Sequence, residues 1–118
     1  MGFYVKLDTN GTMPGLLKQL INSKLLDYVA MDIKAPFEKY TGICGACVDT
    51  DKIQQSIRFL MQGKVDYEFR TTLVPLLTGN DIFKIACGIK GAKLYVLQQF
   101  RYHPEAYAKE APFQHMRP

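Results

Sequence analysis

The sequence predicts a parallel α/β fold with the element order β-α-β-α-β-α-β. Three observations predict it. Short segments rich in β-branched and aromatic residues recur four times, one amphipathic segment separates each from the next, and every strand-like segment turns polar at its C-terminal end. Strands that alternate with single helices become parallel neighbours joined by right-handed crossovers. The expected architecture is a parallel sheet or an arc of a barrel.

The four strands are read at Tyr4–Leu7, Tyr28–Ile33, Tyr67–Val74 and Leu94–Gln99, each bounded by turn residues. The first helix has Thr12 as N-cap and Pro14 in its first turn, with Leu16, Leu17, Leu20 and Ile21 in one stripe. The second follows Asp49 and Thr50, carries Ile53, Ile57, Leu60 and Met61 on one face, and stops at Gly63. The third starts near Thr78, pairs it with Asp81 as a capping box, and runs through Ile82, Ile85, Ala86 and Ile89 to Gly91. After Phe100 the periodicity stops, and Pro104, Pro112 and Pro118 predict a loop-like tail over 104–118.

With 118 residues, 47% hydrophobic and 22% charged, the chain has the composition of an ordinary globular domain. No apolar run approaches the ~20 residues that cross a bilayer, and the N-terminus lacks the features of a signal peptide. No membrane association and a cytoplasmic location are the expectations. The net charge of +4 comes from dispersed lysines rather than a basic stripe, so no nucleic-acid partner is expected.

In parallel α/β folds ligands gather at the C-terminal strand ends. Here those ends carry Asp8, Thr9 and Asn10, then Asp32 and Lys34, then Arg70, Thr71 and Thr72, then Gln98 and Gln99. Strand residues two apart share a face, so Asp32 and Lys34 form one row, and Glu68, Arg70 and Thr72 another. Carboxylates with Lys and Arg at one rim suit a small zwitterion bearing an ammonium, a carboxylate and a ribose. The same residues also allow structural ion pairs, a helix-capping turn at Asp8–Gly11, or a cation held between Asp8 and Asp32.

Three cysteines, Cys44, Cys47 and Cys87, are an odd count in a reducing compartment and argue against a disulfide framework. Cys44 and Cys47 have C-x2-C spacing, compatible with half a zinc site, a redox pair or loop coincidence. Cys87 is expected to be an ordinary buried thiol and His103 a tail residue.

Four segments carry a family likeness: Lys6-Leu7-Asp8-Thr9-Asn10-Gly11-Thr12, Tyr28-Val29-Ala30-Met31-Asp32-Ile33-Lys34-Ala35-Pro36, Tyr67-Glu68-Phe69-Arg70-Thr71-Thr72-Leu73-Val74-Pro75 and Tyr95-Val96-Leu97-Gln98-Gln99-Phe100. In order and spacing they resemble the activating proteins of anaerobic ribonucleotide reductase, which are radical S-adenosylmethionine (radical SAM) enzymes. More distantly they resemble pyruvate formate-lyase activating enzymes. The likeness runs from residue 3 to about 103.

The resemblance implies that residues 1–103 form strands three to six of a partial (βα)6 barrel. It implies S-adenosylmethionine and a [4Fe-4S] cluster as cofactors and a glycyl-radical enzyme as partner, with flavodoxin or ferredoxin as electron donor. Carried over by motif, Asp8, Thr9, Asp32, Lys34, Arg70 and Gln98 would contact S-adenosylmethionine. The family's C-x3-C-x2-C cluster motif and its Gly-Gly-Glu segment are not in this sequence; Cys44 and Cys47 follow a different strand, and Tyr40 stands where a third cysteine would be. The resemblance thus implies a C-terminal part, inactive by itself, or a binding half-barrel completed by another chain. An arc also leaves the first strand's edge unpaired, which predicts self-association or marginal stability.

Overall fold

The computed structural model describes residues 2–101. It is an α/β structure built on one four-stranded parallel sheet: β1 (Lys6–Thr9), β2 (Tyr28–Asp32), β3 (Asp66–Leu73) and β4 (Tyr95–Gln99), side by side in chain order. Registers align Asp8 with Ala30, Ala30 with Glu68, Asp32 with Arg70, Arg70 with Val96 and Thr72 with Gln98. Between the strands lie α1 (Pro14–Asn22), a 3-10 turn at Phe37–Lys39 leading into α2 (Tyr40–Cys44), α3 (Thr50–Leu60) and α4 (Gly79–Gly88).

One apolar cluster joins the helices to the sheet. Leu17 and Ile21 of α1, Ile53, Ile57 and Leu60 of α3, and Ile85 of α4 with Ile89 after it meet Val29, Met31, Ile33, Tyr67 and Phe69. Period-two alternation sends Tyr67, Phe69 and Thr71 into this core and Glu68, Arg70 and Thr72 to the opposite face. Full burial of Phe69 alone is worth roughly 2–3 kcal/mol. Among the described residues no layer covers the second sheet face, and it carries the charged rows.

The caps follow the sequence where a side chain can reach the backbone. Asp49 accepts from the Asp51 N–H at the start of α3. Thr78 and Asp81 form a reciprocal box on α4, with N–H to side-chain distances of 2.9 and 3.1 Å.

Several expectations are corrected. The first strand begins at Lys6, not Tyr4, because the Val5 N–H is taken by the Asp27 carboxylate at 2.7 Å instead of a ladder partner. Thr12 does not cap α1; its N–H and hydroxyl both donate to Asn10 Oδ1, at 3.1 and 2.8 Å, closing an Asx turn. Leu16 is exposed while Leu17 is buried, so the stripe on α1 is narrower than predicted. The 3-10 turn and α2 are not predicted, being too short to show a helical period. Cys87 is exposed, not buried: α4 turns Asp81 and Ile85 inward, and Cys87 sits about 200° from Ile85 around the helix. The predicted tail over 104–118 and His103 lie outside the described residues.

Candidate functional site

The loops after the strands bring the charged strand ends to one rim. The first loop is tight: Thr9 Oγ1 accepts from the Gly11 N–H, and the buried Ser56 hydroxyl donates to the Gly11 carbonyl at 2.8 Å. Gly11 has φ +76°, and a Cβ there would collide with the buried Met31 side chain. Only glycine meets both conditions at no cost.

Arg70 is the centre of the open face. Its side chain is 14% exposed, and its guanidinium lies 3.0 Å from Asp8, 3.5 Å from Glu68 and 4.0 Å from Asp32. Lys6 stands 3.9 Å from Asp8, and Lys34 stands 3.9 Å from Asp32. Three carboxylates thus face three cations. Tyr28 donates to Glu68 at 2.8 Å, and burial, followed by that bonded carboxylate, pushes the Tyr28 phenol up to about 12. Among the described residues the buried Arg70 Nε has no hydrogen-bond partner, an unusual state for a guanidinium nitrogen.

Of the six residues the sequence singled out, Asp8, Asp32 and Arg70 come together directly, and Lys34 joins them through Asp32. Gln98 lies further along the same face, aligned with Thr72, and both border a shallow groove of about 520 Å³ with Gln99, Phe100 and Arg101. Thr9 does not join the rim; it alternates to the other side from Asp8 and closes the Gly11 turn. Lys6, Tyr28 and Glu68 belong to the charged cluster although the sequence did not nominate them as contacts. The period-two step from Lys6 to Asp8 and from Glu68 to Arg70 is the signal that finds them.

Donor chemistry separates the two groups that the resemblance implies. A rim of carboxylates, ammonium groups and an unsatisfied guanidinium N–H fits an amino acid-bearing nucleoside such as S-adenosylmethionine. An iron–sulfur cluster does not fit the described residues. Cys44 is half-buried at the end of α2, Cys47 is exposed beyond it, Cys87 is exposed on α4, and no three His, Cys, Asp or Glu residues among those described gather as ligands. Nor is any described helix long and apolar enough to cross a membrane.

No protein-family model and no solved structure matches the chain. It is 40% identical over 114 residues to a protein of Methanocaldococcus jannaschii named as a glycyl-radical enzyme activating enzyme. That alignment covers 92% of this chain and 47% of the relative, so the chain spans about half the length of the curated relative it matches. The relative's name reaches glycyl-radical activating enzymes in general and specifies no branch of them.

Proposed function

We propose that this chain belongs to the glycyl-radical activating enzymes and supplies the half of a radical SAM barrel that holds S-adenosylmethionine. One observation carries the reading. Asp8, Asp32 and Glu68 surround Arg70 at the C-terminal end of an uncovered parallel sheet face, with Lys6 and Lys34 beside them. The relative's name brings glycyl-radical activation to the proposal.

In this reading Lys34 and Arg70 hold the ligand's carboxylate, Asp32 and Asp8 its ammonium and hydroxyl groups, and Gln98 borders the pocket further along. The four parallel strands are strands three to six of a partial (βα)6 barrel. The partner is a glycyl-radical enzyme of the anaerobic ribonucleotide reductase type, with flavodoxin or ferredoxin as electron donor. S-adenosylmethionine supplies the radical chemistry when it meets a reduced cluster. This chain's residues orient it and replace its water with fixed charges.

No described residues offer a cluster its thiolates, so reductive cleavage depends on ligands outside residues 2–101. Anaerobic reconstitution of the 118-residue chain with iron and sulfide, followed by an assay for 5′-deoxyadenosine, tests this dependence. No product above background is expected, and turnover would contradict it. A second reading, a non-catalytic half-barrel completed by another chain or a second copy, is favoured by the edge position of β1. Concentration-dependent sedimentation of the folded chain would support it over the first.

A further inference from the structure

Beyond Asp32 the chain leaves the sheet ladder, and side-chain hydroxyls take over the backbone of the next two residues. The Ile33 N–H donates to the Arg70 carbonyl at 2.7 Å, the last strand-like bond. The Ile33 carbonyl accepts from Thr71 Oγ1 at 2.6 Å, and the Tyr95 hydroxyl donates to that same Oγ1 at 2.6 Å. The Lys34 N–H donates to the Tyr40 phenol oxygen at 2.9 Å.

We propose that Tyr40 is a positioning residue for the rim: its buried phenol oxygen, backed by the Thr71–Tyr95 hydroxyl pair, sets where Asp32 and Lys34 stand. Its effect on a ligand rests on reading the rim as the amino-acid site for S-adenosylmethionine.

Packing alone does not account for this tyrosine. Its side chain is 2% exposed and its ring stacks on Phe37 at a centroid distance of 6.3 Å, a task phenylalanine performs without burying a hydroxyl. Burial pushes its phenol up to about 12, so at neutral pH it remains an uncharged hydroxyl. Tyr40 opens a five-residue helix, far too short to fix its own position. The fixing comes from α4: Lys39 pairs with Asp81 at 2.8 Å, and Glu38 with Lys84 at 3.0 Å. A continuous chain of contacts therefore runs from α4 through Glu38 and Lys39 to Tyr40, and from its oxygen to Lys34.

Tyr40→Phe removes that oxygen and keeps the ring. In the ligand-free chain, amide hydrogen exchange at Lys34 should speed about tenfold, while the strand amide of Arg70 keeps its protection. By calorimetry, affinity for S-adenosylmethionine should fall about tenfold, with affinity for 5′-methylthioadenosine, which lacks the amino-acid group, unchanged. Thr71→Val frees the Ile33 carbonyl and should give the same split between the two ligands. Ile57→Val, a core change of comparable destabilisation, should leave the ratio of the two affinities alone. Unchanged Lys34 exchange in Tyr40→Phe, or equal loss for both ligands, would overturn the positioning role. Wild-type chain binding neither ligand would refute the rim reading instead, and Lys34 exchange would then decide the role of Tyr40.

Discussion

Replacing Arg70 with methionine removes the guanidinium and keeps a flexible apolar stem, leaving Asp8, Glu68 and Asp32 facing one another. At an effective dielectric of about 20, one unit-charge pair near 3.5 Å is worth roughly 4–5 kcal/mol before desolvation. Losing one partner of a fully buried pair costs about 3–5 kcal/mol. The partners here are wetter: Asp8 is 65% exposed and Asp32 35%, and only Glu68, at 15%, is comparably enclosed. Discounting the two exposed pairs to surface values leaves about 2–3 kcal/mol, centred on Glu68. That corresponds to a fall in Tm of about 10 °C for a domain of this size. Urea unfolding followed by circular dichroism at neutral pH measures it. Asp8→Asn, by contrast, should cost under about 1 kcal/mol. Adding Glu68→Gln to Arg70→Met should return about 1 kcal/mol, since it removes the most enclosed of the stranded carboxylates. A loss below about 1 kcal/mol for Arg70→Met, or no recovery in the double variant, would refute the idea that Arg70 organises the cluster.

Gly11→Ala forces a Cβ against Met31 at a positive φ and should destabilise by about 2–3 kcal/mol in the same assay. The Lys39 ammonium, then the Thr78 backbone N–H, hold the Asp81 carboxyl below its ordinary range. A lowered folded-state value stabilises above the unfolded value near 4 and is lost as pH falls through the lowered one. Asp81→Asn should therefore be weaker than wild type at neutral pH, with the gap closing below about pH 4. Thiol labelling of the native chain should modify Cys47 and Cys87 quickly and half-buried Cys44 slowly; a protected Cys87 would contradict the orientation of α4.

Strand order, the three longer helices and most of the rim are legible in the sequence because each has a local cause. Period-two alternation through Tyr67–Thr72 puts Glu68, Arg70 and Thr72 on one face, and Thr78 with Asp81 announces α4. Part of the rest depends on distant partners and part on the phase or start of an element. Asp27 takes the Val5 N–H across 22 positions, and β1 runs over Lys6–Thr9 rather than Tyr4–Leu7; Thr71 reaches Ile33 across 38. Thr12 misses the capping position by one residue, since α1 opens at Pro14 behind Met13, and its N–H and hydroxyl donate instead to Asn10 Oδ1. Cys87 is expected inside because thiols are usually buried, whereas its phase on α4, read from Asp81 and Ile85, points it outward. Thr9 shared a motif with Asp8 but not its face, since adjacent strand residues point oppositely.

On the proposed reading, the charged rim of the uncovered parallel sheet recognises the amino-acid end of S-adenosylmethionine. Calorimetric titration of the 118-residue chain with S-adenosylmethionine, compared with Lys34→Met and Asp32→Asn, tests it most directly. Saturable binding by wild type, weakened at least tenfold in each variant with folding intact, is the predicted result. No binding by the folded wild-type chain, or equal binding by all three, would contradict it.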